Sequence, residues 1–366
     1  MRPRRSSVSG WAGRGGWFDP WGLALGLLVV VGLAGVTACG SDEPRAQRGH
    51  EVVLVTYESF ALPERAAAEF TRRTGTRIRV IRSGDAAEML TKALLGAGAP
   101  EGDVIFGIDN MLAAKALAAD LLAEDTHAGE DSAAGDFAVP GAKGRLVPID
   151  HGEVCLNLDP TWFEQHGVEA PTSLADLVDA RYKGLTVISS PVTSSPGLAL
   201  LVGTVAEFGE DGWRDYWQRL KANDVLVRPS WSDAYYGDYT VSGGKRPIVL
   251  SYASSPPAEV VFSEGKRTQP VSQVLTGTCV AQIEYAGVLR GTKHAATAQE
   301  LLQFMQSPEW QRELPLTNFV YPVADVELPE EFRRWAPPVA DPLSLSPTVI
   351  DAGRERWIEA WREIME

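Results

Sequence analysis

Residues 51–57 read EVVLVTY, residues 77–81 RIRVI and residues 103–108 DVIFGI. The first and last are β-branched and apolar, the composition of a buried strand, and the middle one reads as the next strand in the series. Between them the pattern turns helical. Pro63 opens a stretch to Thr74 with apolar positions at Ala66, Ala67 and Phe70, and Gly75 stops it. A second helix is expected from Ala86 to Leu95, ending at Gly96, and an Ala-rich third from Met111 to Leu122. Strand and helix in alternation predict a parallel α/β sheet, whose ligands gather beyond the carboxyl ends of the strands. The candidates at those ends are Tyr57-Glu58-Ser59, Ser83-Gly84-Asp85 and Asp109-Asn110.

Working outward, residues 123–145 are acidic, Gly/Ala-rich and weakly patterned, and read as an exposed insertion. A second α/β set follows, with strands at 154–158, 185–189, 225–228 and 247–252 and helices at 174–179, 196–208 and 213–222. A strand at 279–285 returns the chain towards the first set, and helices are expected at 297–305, 308–314 and 349–364. The expected organisation is a first lobe of 51–153 with 276–320 and a second of 154–275. Residues 321–366, with a Trp-rich helix, are assigned to neither. Two α/β lobes suit a binding protein that closes on its ligand.

The N-terminus reads as an address. Residues 1–22 are basic, Leu23 to Val36 is an uninterrupted apolar and small-residue run, and Val36-Thr37-Ala38 precedes Cys39. The run is shorter than the ~20 residues of a spanning helix, and the whole has the layout of a secretory signal over 1–38. A Cys directly after the small residues resembles a bacterial lipobox, with Cys39 diacylated as the mature N-terminus. The alternative is an uncleaved anchor helix. Either way residues 51–366 lie outside the cytoplasmic membrane, behind a polar tether of 39–50. Cys155 and Cys279 are then an even pair in an oxidising compartment and are expected to be bridged, with two free buried thiols as the alternative.

The chain carries 34 Lys and Arg against 48 Asp and Glu, a net charge of −14. Without residues 1–38 the balance is 30 against 47, a net of −17. Such a body repels a phosphate backbone, so nucleic acid is not an expected partner. No nucleophile elbow, P-loop, zinc-protease motif or Cys-x-x-Cys occurs, and the five His are scattered. No catalytic residue, metal site or cofactor is expected.

Three further segments could bind a ligand. Ser194-Ser195-Pro196-Gly197 opens the 196–208 helix, with Ser195 as the expected N-cap, where free N–H groups suit an anion or hydroxyl. Trp231-Ser232-Asp233-Ala234-Tyr235-Tyr236 follows a strand as an expected loop, suited to stacking on a flat or cationic ligand. Ser251-Tyr252-Ala253-Ser254-Ser255-Pro256 again sets an aromatic and hydroxyls at a strand end. Plain helix capping by Ser195, Ser254 or Ser255, and core packing of Tyr57 or Trp231, are the alternatives.

Seven segments occur together in order: Thr56-Tyr57-Glu58-Ser59-Phe60, Gly107-Ile108-Asp109-Asn110, Ser194 to Leu198, Trp231 to Tyr235, Leu250 to Pro256, Phe304-Met305-Gln306-Ser307-Pro308 and Tyr321-Pro322-Val323. From about 51 to 364 the chain resembles the thiamine-binding, substrate-binding proteins of bacterial ATP-binding-cassette importers. The resemblance implies a two-lobed type II periplasmic-binding-protein fold, with thiamine or its phosphates in the cleft between lobes. It implies Tyr57, Trp231 and Tyr252 as aromatic walls, Asp85 as the carboxylate near the cation or aminopyrimidine, and Ser194, Ser195 and Gly197 at the hydroxyethyl or phosphate end. Ser59, Asp109, Asn110, Tyr235, Ser254 and Ser255 complete the candidate set. A permease and an ATPase are the implied partners, on the outer face of the cytoplasmic membrane, and a monomer is the expected state.

One departure stands out. Similar proteins often carry an aromatic where this chain has Ala258, and Tyr235, Tyr236 or Tyr239 is expected to replace it. Two rival functions follow from the same fold: a ferric-ion binder using Tyr235 and Tyr236, and a thiaminase-like enzyme using Cys155 with Glu153 beside it.

Overall fold

The apolar runs do form strands. In a computed structural model, which describes residues 50–124, 137–336 and 338–366, they build β1 (His50–Thr56), β2 (Thr76–Arg82) and β3 (Val104–Asp109). The signal segment, Cys39 and nearly all of the tether lie outside the described residues, as does 125–136 of the insertion. Six more strands follow: β4 (Val147–Leu158), β5 (Thr186–Ser189), β6 (Leu226–Arg228), β7 (Ile248–Tyr252), β8 (Gln273–Val288) and β9 (Tyr321–Pro322). All nine join one sheet in the order β2-β1-β3-β8-β4-β7-β5-β6, with β9 paired to β4. The β2-β1-β3 and β7-β5-β6 runs are parallel, as the alternation predicts, and the pairs that join them are antiparallel.

The two long strands do the joining. The first half of β4 pairs with the second half of β8, from Val147↔Ala286 to Val154↔Val280. Beyond that point β4 pairs with β7 on one side and with Leu275 to Gln273 of β8 on the other. Both strands therefore run straight through the expected lobe boundaries at 153/154 and 275/276. The register shifts there, with Cys155 alone facing residues 276–279, a bulge that bends and twists the pair. A disulfide joins Cys155 to Cys279 at this shift.

Helices pack on both faces. Phe70, Leu301, Met305 and Trp310 cover one face of β1 and β3. The 28-residue helix Ser195–Ala222 covers the second half, broken at Gly209 as the two expected helices require. The C-terminal helix Pro347–Met365 lies on it, with Trp361 edge-on to Trp217 at 5.8 Å and the Trp357 indole N–H donating to Glu210 at 3.1 Å. Full burial of each such aromatic contributes roughly 1.5–3 kcal/mol. Among the described residues, no helix is long and apolar enough to cross a membrane.

Several local expectations are corrected. The third helix spans only Ala113–Ala118, because the Asp109 carboxyl accepts the N–H groups of Met111 and Leu112 and holds that turn outside the helix. Residues 147–153, left without an element ahead of the strand expected at 154–158, are already β4. The expected 174–179 helix is a 3-10 turn, Ala175–Val178, with a second such turn after it at Ala180–Tyr182, and Pro160–His166, Pro256–Val261 and Glu330–Trp335 are helices the pattern did not mark. Residues 231–236 are not loop throughout. Asp233–Asp238 is a wide helical turn that opens on a reciprocal bond pair, Asp233 N–H to Ser230 Oγ at 3.1 Å and Ser230 Oγ to Asp233 at 3.0 Å.

Candidate ligand-binding site

One cleft collects the carboxyl ends of both parallel runs. Tyr57, Ser59 and Ala61 follow β1, Asp85 follows β2, Ser195 and Pro196 follow β5, Trp231, Tyr235 and Tyr236 follow β6, and Tyr252, Ser255, Ala258 and Phe262 follow β7. Glu284, from the middle of β8, and residues 317–320 close it. The arrangement obeys the strand-end rule in both halves of the sheet.

Aromatic faces dominate the second half. The Trp231 ring stacks on Tyr235 at 5.0 Å and 25°, and meets Tyr236 and Tyr252 edge-on at 5.5 and 6.4 Å. Its indole N–H donates to Ser251 Oγ at 3.0 Å, and that hydroxyl is in turn 2.7 Å from Ser255 Oγ, so the ring is fixed from below. Tyr57 stands opposite, against Phe106 and Phe60. Gly107 makes room for it: a Cβ there would lie 2.3 Å from the Tyr57 ring, and the backbone φ is +102°.

The electrostatics are one-sided. Asp85 and Glu284 line the cleft, and no Lys, Arg or His is among its lining residues. Asp85 caps the helix Ala86–Leu95 and also accepts the Trp231 backbone N–H at 3.1 Å; burial raises its carboxyl pKa. Glu284 accepts the Tyr57 hydroxyl at 3.2 Å and the Gln282 side-chain amide at 3.4 Å, and burial lifts it to about 7. Asp150 sits across from it on β4, fully buried, with no donor group of another residue on either oxygen and the Glu284 carboxyl as its polar neighbour. Burial first, then the Glu284 charge, holds Asp150 well above the carboxylate range, so Asp150 keeps a proton and shares it with Glu284. Asp109 is raised to about 8, again by burial and then by Glu284. Burial also keeps the Tyr57 and Tyr252 phenols neutral.

The sequence pattern that defines the bacterial extracellular solute-binding proteins matches residues 102–339. The chain belongs to that family. The thiamine-binding periplasmic protein of Salmonella typhimurium is 30% identical to this solute-binding protein over 317 residues, 85% of this chain and 92% of that one. A solved structure titled periplasmic thiamin binding protein superposes with a TM-score of 0.77 at 28% identity, covering 88% of this chain and 99% of that one. The apo ferric ion-binding protein A of Pasteurella haemolytica shares the fold at a TM-score of 0.67 and 16% identity, over 86% and 98% of the two chains. The fold is the two-lobed type II periplasmic-binding-protein fold.

Within this solute-binding protein the expected site residues divide into two groups. Tyr57, Ser59, Asp85, Ser195, Trp231, Tyr235, Tyr252 and Ser255 line the cleft. Asp109, Asn110, Ser194, Gly197 and Ser254 lie behind its wall. Ser195 is not the cap of its helix: Ser194 holds that position, without a side-chain cap bond, and donates to Ser189 Oγ at 2.9 Å. Ser195 Oγ donates to Asp109. Asn110 brackets β8, accepting from Ile283 N–H at 3.0 Å and donating to the Ala281 carbonyl at 3.3 Å. Gly197 lets the helix approach β5, since a Cβ would fall 2.5 Å from the Ser189 carbonyl oxygen. Ser254 Oγ donates to the Phe319 carbonyl at 2.5 Å.

Ala258 does lie on the cleft, and Tyr235, Tyr236 and Phe262 stand beside it, whereas Tyr239 is buried behind with its hydroxyl on Ser272 at 2.8 Å. Sequence reasoning missed Glu284, Phe262 and Phe319. The Tyr235 hydroxyl is held by Glu259 at 3.4 Å, and burial followed by Glu259 pushes its pKa up, opposite to what a phenolate metal ligand needs. Among the described residues, no group of three or more His, Cys, Asp or Glu could hold a metal ion. Cys155, bonded to Cys279 and absent from the cleft lining, has no thiol to offer as a nucleophile.

Proposed function

We propose that this extracytoplasmic protein captures thiamine, or one of its phosphates, and delivers it to a membrane permease driven by an ATPase. The observation that carries the reading is the cleft itself, with aromatic faces and two carboxyls but no basic side chain in its lining. Thiamine is a flat, permanent cation. Each aromatic face over its thiazolium is worth ~0.5–2 kcal/mol, and a nearby carboxylate completes the complementarity. The thiamine-binding names of the relatives and of a similar solved structure support the same ligand. Tyr57, Trp231 and Tyr252 are the walls, Asp85 the near carboxylate, and Ser195 the group at the hydroxyethyl end. The lobes are 51–153 with 276–320 and 154–275, hinged where β4 and β8 cross. Cys39 carries the lipid that keeps the protein at the outer face of the cytoplasmic membrane. The protein transports its ligand and does not transform it.

Calorimetry on residues 40–366, refolded to remove carried-over ligand, tests the reading with thiamine, its mono- and diphosphate, and ferric citrate. Stoichiometric heat from a thiamine form, with the vitamin intact by mass spectrometry afterwards, is the expected result. No heat from any thiamine form overturns it. Intact mass of the membrane-extracted protein, with and without Cys39→Ala, tests the anchor.

A further inference from the structure

Glu284 is 6% exposed, lines the cleft, and faces acids, phenols and one amide. Asp150 opposes it from β4, Asp109 from β3, Asp85 from the helix Ala86–Leu95, Tyr57 from the end of β1 and Tyr252 from β7; Gln282 is its neighbour on β8. Arg354 acts on this group through Asp109 and is itself paired with Glu355 at 3.0 Å. Glu284 accepts from the Tyr57 hydroxyl and the Gln282 amide but pairs with no cation, and a carboxylate buried without a cationic partner is disfavoured and takes up a proton instead. Asp150, 1% exposed, accepts from no neighbouring donor group and has only the Glu284 carboxyl beside it, which marks the same deficit of positive charge.

We propose that Glu284 is the charge-reading residue of the cleft: the bound cation takes the place of the proton that Glu284 shares with Asp150, so binding is coupled to proton release. The inference rests on the thiamine reading and adds a residue and a linkage to it. Selectivity follows, because a neutral molecule of the same shape leaves the acid pair protonated and gains nothing from it. With the Glu284 carboxyl near 7 in the empty cleft, affinity for the cation rises about tenfold between pH 6 and 8 and levels off above. A neutral isostere shows no such rise.

The test compares thiamine with its neutral carbon isostere, in which carbon replaces the thiazolium nitrogen, on wild-type protein and on Glu284→Gln. Calorimetry of thiamine in buffers of different ionisation enthalpy at pH 7 is expected to report about half a proton released per ligand by the wild type. Glu284→Gln is expected to lose this release and at least thirtyfold in thiamine affinity while binding the isostere as the wild type does. No proton release by the wild type between pH 6 and 8 overturns the inference without any variant. So does a Glu284→Gln protein, folded by circular dichroism, that binds thiamine normally or loses both ligands equally. If the wild type binds no thiamine form, the functional reading itself has failed, a different result from any of these.

Discussion

The Asp85 carboxyl accepts the backbone N–H of Trp231 at 3.1 Å, across 146 positions of sequence. It thereby ties the strand end of one half of the sheet to the aromatic wall of the other. Two further bonds cross at the same place, Glu88 N–H to the Thr193 carbonyl at 3.2 Å and Ser195 Oγ to Asp109. Asp85 also caps its own helix through the Ala86 N–H. Asp85→Ala is expected to lower Tm by a few degrees through the lost cap, worth ~1 kcal/mol, and to weaken thiamine binding at least tenfold. Thiamine affinity equal to wild type would show that this bridge plays no part in closure.

Trp231 is held at both ends, by Ser251 below and Tyr235 alongside. Trp231→Ala removes one face of the expected cation box, and a loss of about tenfold to thirtyfold follows from ~1.4–2 kcal/mol. Tyr236 is 61% exposed at the cleft mouth, and Tyr236→Ala is expected to cost less than Trp231→Ala. Titrations followed by tryptophan fluorescence and calorimetry measure the order; a larger loss in Tyr236→Ala reverses the assignment of the inner wall.

The buried acids set a pH dependence of stability. Asp109 at about 8, Glu284 at about 7 and Glu153 at about 7 keep protons in the folded protein that the unfolded chain gives up above about 4. Their contribution is therefore most favourable in acid and is lost as pH rises from about 4 through about 8. His151, lowered to about 4 by burial, works the other way, but only between about 4 and its ordinary value of 6.5. From pH 6.5 to 8 the acids act alone, and each proton held lowers stability by ~1.4 kcal/mol per pH unit. Urea unfolding without ligand is expected to show a lower midpoint at pH 8 than at 6.5, and Asp109→Asn a shallower fall. A midpoint that rises over this interval contradicts the assignment.

The Cys155–Cys279 bond closes a loop of 124 positions between the two strands that cross the sheet. Reduction, or the Cys155→Ser/Cys279→Ser pair, is expected to cost 2–5 kcal/mol and a clear drop in Tm. Thiamine incubated with the reduced protein should be recovered unchanged by mass spectrometry. Turnover that disappears in Cys155→Ser would instead make the protein an enzyme.

Much of this architecture was decided locally. The runs at 51–57 and 103–108 are apolar enough to be strands only if both faces are covered, and the helices between them supply the cover. Parallel pairing then brings strand ends to one edge. For that reason Tyr57, Asp85, Trp231 and Tyr252 are each legible as strand-end candidates, and the family resemblance is what joins them, across almost 200 positions, into one expected site. What the tertiary structure alone decided was which side of the wall each polar group took. Asp109, Asn110 and Ser194 look like ligand-binding residues by position, yet their side chains are spent on Met111, β8 and Ser189. Glu284 gave only a faint signal, an acid within the apolar run 283–288, because its role depends on Asp150, which reaches it through strand register over 134 positions. Local sequence sets periodicity and turns; the burial and pairing of charges are set by which distant residues the sheet makes neighbours.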